Sequence, residues 1–410
     1  MFRRIVTSYQ EAFSGLPRSI WILAGVSLIN RAGTMVFPFL SLYLTAQLGF
    51  TKSQTGLVIF AFGVGSIAGS VVGGYLCQRL GAVKVQELSL LAGGVGFLAM
   101  GRLEHFGALL AGSFCLSLAN DAFRPAVMTA VVDHTPAPVR TRSLALMRMA
   151  VNLGMTVGPA AGGILAGYSY QWLFVVDALS CWLAAATLHF TFPGTSAPAA
   201  AVQDASPGRI SVWQDTPLLL FMGLMLALGL MFFQIFSTMP LFLRDAYGLG
   251  EGSIGLLLGL NPLLVVLLEM VFVRKMEHHP PARMVGLGGL LVGLGLALLP
   301  LGSTFLFAAV TIFVWTIGEM MALPFSNSLV ASRASGNGSG AHMGVYAAAF
   351  SLALMIGPLI GLSVYQHFGG QALWFGIGAT GVAFWLACRV LEPYLKTAPG
   401  LAPAAQGPDG

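Results

Sequence analysis

The chain has 410 residues, 56% of them hydrophobic and 9% charged, with a formal net charge of +5. An ordinary soluble domain is about 25% charged, so this composition excludes water as the main solvent and places most of the chain in a bilayer. The small positive excess is explained below by membrane topology, which removes the reason to invoke a nucleic acid.

Runs of about 18 to 25 mostly apolar residues, each able to cross roughly 30 Å of hydrocarbon as a helix, follow one another along the chain. Six lie at 20–46, 53–77, 84–102, 107–131, 143–166 and 171–192, and six more at 217–243, 253–273, 284–302, 305–331, 343–366 and 371–390. The stretch before the first run is mixed polar and charged, and the run itself is too long for a cleaved signal, so it reads as a retained helix. Residues 193–216 are rich in Pro, Ala and Ser and read as a linker. The expected organisation is a six-helix bundle at 1–192, a cytoplasmic linker at 193–216, a second bundle at 217–392 and a disordered cytoplasmic tail at 393–410.

Cations fall on alternate loops. Arg3, Arg4, Arg18, Arg79, Lys84, Arg140, Arg142 and Arg148 are followed in the second half by Arg274, Lys275, Arg283, Arg333, Arg389 and Lys396, whereas Lys52, Arg102 and Arg244 stand on the other face. Lys and Arg are retained on the cytoplasmic side, so both termini are expected to be cytoplasmic in a multi-pass protein of a cell inner membrane.

The halves are copies of one another. Gly158-Pro159-Ala160-Ala161-Gly162 recurs as Gly357-Pro358-Leu359-Ile360-Gly361, and 357 − 158 = 199; the same offset carries Gly49 to Gly248, Gly56 to Gly255, Gly94 to Gly293, Lys84 to Arg283 and Pro125 to Pro324. A duplicated apolar chain is the sequence form of a secondary transporter, whose substrate site lies near mid-membrane at the repeat interface. The cysteines Cys77, Cys115, Cys181 and Cys388 stand singly and read as small apolar fillers. His278 and His279 share a loop with Glu277, too sparse a group for a metal site, and no phosphate-binding glycine loop is present. No metal and no cofactor are expected, and no nucleophile, base and metal cluster suggests an enzyme.

In its two six-helix halves, its linker and its basic loops, the chain resembles the major facilitator superfamily over essentially its whole length. Gly154, Gly158, Pro159, Gly162 and Gly163 in the fifth run are similar to the glycine-proline motif of the drug:proton antiporter branch, partly repeated by Gly357, Pro358 and Gly361. Small residues at this spacing let helices approach closely, and the proline bends the helix. The loop Gly74-Tyr75-Leu76-Cys77-Gln78-Arg79-Leu80-Gly81, followed by Lys84, is similar to the family's gating loop. It has Gln78 where the family usually has an aspartate, which leaves a hydrogen-bonding latch in place of a charge relay. The family's fourth-helix arginine and glycine are replaced by Ser113 and Ser117, while Asn120-Asp121-x-x-Arg124-Pro125 lies deeper in the run.

Charges inside the membrane cost at least about 2.5 to 3.5 kcal/mol each, so each is a candidate functional group. At 1.5 Å per residue, Arg31 lies roughly 16 Å into the first run, and Asp121 and Arg124 lie roughly 18 and 13 Å from Asp133 at the end of the fourth. Their matched depth predicts one cluster, which reads either as a substrate and proton site or as a structural ion pair; Asn30 and Asn120 adjoin it. Glu319 lies in the tenth run with no basic residue near it in sequence, and 319 − 199 = 120 places it opposite Asn120. It reads as a proton carrier or as a protonated packing residue. Asp177 and Glu269 are expected to be interfacial anchors.

The resemblance implies a proton-coupled transporter, acting as a monomer, that exports drugs or amphipathic small molecules. Uptake of a peptide, sugar or organic anion is the alternative that two buried arginines support. A membrane enzyme or lipid scramblase is a remote third.

Overall fold

The computed structural model describes residues 15–136, 139–192, 215–333 and 339–396. The expected linker and tail lie largely outside the described residues. Among those described no strand is present. The helices are α1 (Arg18–Gln47), α2 (Lys52–Leu80), α3 (Ala82–Met100), α4 (Phe106–Asp133), α5 (Arg140–Tyr168), α6 (Gln171–Thr191), α7 (Thr216–Tyr247), α8 (Glu251–Met276), α9 (Pro281–Leu301) and α10 (Phe305–Arg333). The last helical stretch, Ser339–Lys396, turns at Gly369, where φ is 83° and ψ 168°, and so divides into α11 (339–368) and α12 (370–396). Each expected run is found as a helix, and α12 continues beyond the end of its apolar run.

Local chemistry sets the helix ends. Thr51 accepts from the Gln54 N–H at 3.2 Å while the Gln54 side chain accepts from the Thr51 N–H at 3.0 Å, a reciprocal cap at the start of α2. Asp215 accepts from the Leu218 N–H and a proline enters the first turn of α7. The duplication is visible in single hydrogen bonds. The Phe50 N–H reaches the Leu44 carbonyl at 3.0 Å after α1, and the Leu249 N–H reaches the Leu243 carbonyl at 3.2 Å after α7. Gly49 (φ 72°) and Gly248 (φ 64°) make the left-handed turn between them.

Helix pairing repeats as well. In the first half α1 packs on α5, α2 on α4, and α3 on both α4 and α6; in the second, α7 packs on α11, and α9 on both α10 and α12. The α2–α4 contact is made through small residues: a Cβ at Gly69 would press on the Leu118 backbone, and one at Gly73 on Ala122.

The chain divides into two compact units. The first contains α1 to α6 together with Phe236–Val266, the distal part of α7 and the first part of α8. The second contains the start of α7 up to Ile235 and the chain from Leu267 onward.

Candidate substrate and coupling site

Helix α1 is broken. Its first segment, Arg18–Ala32, stops at Gly33 and helix resumes at Val36. A new helix start exposes N–H groups that need acceptors, a need no water meets at this depth. Asp177 of α6 meets it: one carboxylate oxygen accepts from the Met35 N–H at 2.9 Å and the other from the Val36 N–H at 3.0 Å. Its side chain is only 1% exposed. The expectation of an interfacial anchor is therefore corrected, because Asp177 is an internal cap across two helices.

The break is pressed from α5 by the glycine motif. A Cβ on Gly158 would lie 3.0 Å from the Arg31 and Thr34 carbonyl oxygens and 3.3 Å from that of Ala32. One on Gly154 would lie 2.5 Å from the Arg31 Cβ, and one on Gly162 would lie 3.0 Å from the Met35 Cβ. Pro159 frees the α5 backbone on the opposite side. Its carbonyl meets Gly255 of α8, and Gly163 meets both Glu251 and Gly255. The motif therefore contacts two helices at once. In the second half Gly361 packs against the Gln234 side chain, whereas Gly357 has only ordinary contact distances, 3.6 Å and above; Pro358 lies inside α11.

Arg31 is the second-last residue before the break. Arg31 of α1 and Asp121 and Arg124 of α4 lie in the same unit, and the charges that bear on Arg31 include those of Arg124 and Asp121. Asp121 is buried and Arg124 exposed on the adjoining turn of α4. No direct ion pair joins Arg31 to Asp121 among the described residues, which corrects the reading of a contact pair; their coupling acts through space. Asn30 donates to the Cys181 thiol at 3.5 Å, so Cys181 belongs to a polar seam between α1 and α6 and is more than a filler. Asn120 turns away from Arg31. Its Oδ1 lies 3.0 Å from the Cβ position of Gly93 on α3, and its carbonyl accepts from Ser89 at 3.1 Å.

Glu319 is half-buried on α10 in the second unit. One turn earlier, buried Trp315 meets Phe232 of α7 edge to face at 6.2 Å between ring centroids. Next to it, Gly318 packs backbone to backbone on Gly288 of α9.

The gating-loop residues are placed differently from the expectation. Gln78 is exposed and makes no hydrogen bond among the described residues, so the helix-end latch read from sequence is absent. Arg79 lies over the Tyr75 ring at 4.7 Å on its own helix, Lys84 is exposed, and Gly81 (φ 84°) makes the turn between α2 and α3. Gly74 has open space beside it; its neighbour Gly73 makes the contact with α4.

Several polar contacts were not anticipated. At the end of the first unit opposite the start of α1, Lys52 pairs with Asp245 at 2.9 Å and the Tyr170 hydroxyl donates to Glu251 at 3.0 Å. Burial, with the Glu251 charge beside it, pushes the Tyr170 phenol well above its usual range. In the second unit Arg333 holds Asp215 by two bonds of 3.0 and 2.9 Å and also donates to the Tyr394 and Leu395 carbonyls at 3.2 and 2.8 Å. Arg283 holds Glu392 through both oxygens at 2.8 and 2.9 Å. The aspartate just before a threonine and a proline was the available signal for the Asp215 cap; the pairings across more than a hundred residues left none.

A family model described as Major Facilitator Superfamily matches residues 20–344. The chain is 25% identical over 397 residues to a Na(+), Li(+), K(+)/H(+) antiporter of Planococcus maritimus, covering 87% of this chain and 90% of that protein. It is 23% identical over 365 residues to multidrug resistance protein MdtH of Escherichia coli O157:H7, covering 86% and 89%. Among solved structures it is similar to the peptide transporter POT in complex with sulfate, with a TM-score of 0.79, 16% identity and coverage of 93% and 96%. It is also similar to the nucleoside transporter NupG, with a TM-score of 0.76, 12% identity and coverage of 91% and 100%. Those two likenesses are of fold alone. Duplicated six-helix halves, a first helix broken in mid-span and a family match over most of the length agree: the chain belongs to the Major Facilitator Superfamily and is a multi-pass membrane transporter.

Proposed function

We propose that this transporter is proton-coupled and exports drugs or amphipathic small molecules across a cell inner membrane as a monomer, with both termini cytoplasmic. The observation that carries the reading is the placement of Arg31 at the break in α1, where Arg124 and Asp121 are the charges acting on it. Charges are kept at this depth against a cost of at least about 2.5 to 3.5 kcal/mol each, and an unwound segment beside them supplies backbone groups that a ligand can use. In this reading Arg31, Asp121 and Arg124 form the substrate site and Asn30 holds the adjoining backbone. Glu319, a half-buried carboxylate at the α10 position matched by Asn120 in α4, carries the proton. The antiporter and multidrug descriptions of the relatives support export with a counter-ion.

A second reading, uptake of a peptide, sugar or organic anion, is favoured by the two arginines against the single Asp121, a charge balance suited to a carboxylate.

Transport in proteoliposomes under an imposed pH gradient, with cationic drugs in one arm and small carboxylates in the other, separates the two. Export predicts substrate counterflow against protons for the drugs; accumulation of carboxylates along the proton gradient selects uptake. In the same vesicles Glu319→Gln is expected to lose gradient-driven accumulation and keep substrate counterflow. Wild-type accumulation by that variant would remove Glu319 from the proton path.

A further inference from the structure

The repeat places Gln234 at the position of Met35 (35 + 199 = 234) and Gly376 at the position of Asp177 (177 + 199 = 376). Helix α1 is interrupted over residues 33–35, whereas α7 is interrupted at Phe233 alone, which keeps helical φ and ψ (−72° and −5°) and donates to the Gly229 carbonyl. At the first, the carboxylate of Asp177 accepts from the resumed backbone. At the second, Gln234 donates to the Leu230 carbonyl at 3.0 Å and to the Gly357 carbonyl at 2.8 Å, so a neutral donor serves the carbonyls of the shorter interruption. That the longer one in α1 is held by a buried carboxylate asks for a reason.

The surroundings supply one. Asp177 bridges two successive N–H groups with its two oxygens, a geometry that fixes residues 33–35 in direction as well as in distance. Its neighbour Ser180 stands in the space a Cβ at Gly33 would need, so α6 touches the break at a second point. On the other side Gly154 and Gly158 of α5 lie against Arg31, Ala32 and Thr34. Asn30 is tied to Cys181, one turn beyond Asp177 on α6. Arg31 leaves α1 in the middle of this clamp, and the carboxylate is the one charged member of it that touches the broken backbone.

We propose that Asp177 is a positioning residue for transport: by capping the resumed helix at Met35 and Val36 it holds α1 broken and so aims Arg31 at the region shared with Asp121 and Arg124. This rests on the reading of Arg31 as part of the substrate site. Asp177 touches no substrate; its effect on binding passes through the α1 backbone.

A double-mutant cycle tests this. Transport is measured in proteoliposomes, using as probe whichever compound the wild type moves in the pH-gradient experiment, for Asp177→Ala, Arg31→Gln and the double variant. Asp177→Ala is expected to raise the apparent KM by about tenfold or more, the size of losing one charge-assisted hydrogen bond. Arg31→Gln should raise it too, and the double variant should be no worse than the more damaged single one. Additive effects, or a fall in maximal rate or yield at unchanged KM, would make Asp177 a purely structural cap and overturn the proposal. If Arg31→Gln alone leaves KM unchanged, the site reading fails and not merely this extension of it. Asp177→Asn and Asp177→Glu replace the alanine variant if that one does not fold. Asparagine keeps one acceptor oxygen and glutamate keeps the charge on a longer arm, so KM should rise in both, with folded yield near wild type; a wild-type KM in both overturns the proposal.

Discussion

The interruptions of α1 and α7 occupy matching places in the repeat and are built from different chemistry. At the first stand Arg31 and, across from it, Asp177; at the second stand Leu230 and Gln234, with Gly376 in place of the aspartate. The two helices end alike, with the same hydrogen bond across the turn that follows each. Both helices are thus interrupted at matching positions, but only α1 loses its helix over more than one residue. Its freed N–H groups need acceptors inside the membrane, and Asp177 supplies them. Duplicated halves keep in common what folding requires, and their differences point to what the molecule does.

The largest expected effect tests the charged half directly. Arg31→Gln and Asp121→Asn should each lower transport about a hundredfold or more, the scale of leaving a desolvated charge without its opposite. Since the two act on each other through space and not in a contact pair, the double variant should recover folded yield more than transport. The measurement is counterflow per folded molecule beside detergent-extracted yield. Leu230→Gln, the change at the position of Arg31 in α7, should leave counterflow within a few-fold of wild type; an equal loss there would show that both breaks, charged or not, are equally sensitive.

Stability should respond most in the other half. Arg333 and Asp215 are a buried bidentate pair, with side chains 6% and 1% exposed, and Arg333 also ends the α12 backbone. Arg333→Ala leaves a buried carboxylate uncompensated and should cost about 3 to 5 kcal/mol, read as a lowered midpoint of thermal unfolding in detergent. The matching residue of the first half is His134 (333 − 199 = 134), which meets Phe192 ring to ring at 4.9 Å. His134→Ala should cost about 1 kcal/mol, as for one aromatic contact. Equal costs would mean that the two halves are tied alike at this end.

How much of this was legible beforehand follows from the range of each signal. Helices α1 to α12 could be read because an apolar run is a local property, and the repeat because one offset persists along the chain. The break in α1 left no mark: Gly33 and Thr34 are ordinary membrane-helix residues, and the cap that stabilises the break lies more than a hundred residues away on α6. For the same reason Asp177 looked like an anchor. Counting residues along one helix gives depth and not direction, so Asn120 was grouped with Arg31 although it turns toward α3. Gln78 was misjudged because a resemblance carries a role only if its partner is also present.

The glycine motif offers a finer comparison. Alanine is the better helix former by about 1 kcal/mol, so Gly357→Ala, with nothing closer than 3.6 Å to the new methyl, should be neutral or slightly stabilising. At Gly158 the methyl would meet three carbonyl oxygens at 3.0 to 3.3 Å. These belong to backbone that Asp177 holds in place, so relief requires moving the break, and overpacking should cost about 1 to 3 kcal/mol. Thermal unfolding of the two variants, side by side, isolates the clash from the helix propensity they share. Equal midpoints would mean that the α1 backbone yields freely.

The smallest expected effect concerns contacts that residues 236–266 make inside the first unit. Lys52 and Asp245 are partly exposed, with side-chain accessibilities of 27% and 43%, and exposed pairs contribute about 0 to 1 kcal/mol. Lys52→Ala and Asp245→Ala should therefore leave the unfolding midpoint almost unchanged. Their effect on transport can still be measurable, because a contact present in only one of two conformations shifts the balance between them even when it adds little to folding. The expected result is a change of a few-fold in turnover that both single variants share and the charge-swapped Lys52→Asp, Asp245→Lys protein reverses. Tyr170→Phe, which removes the hydroxyl donor to Glu251 and keeps the ring packed near Tyr43, should act in the same direction. If turnover stays at the wild-type value in all of them, these contacts follow the packing of Gly163 on Gly255, and that close backbone approach is what joins the two segments.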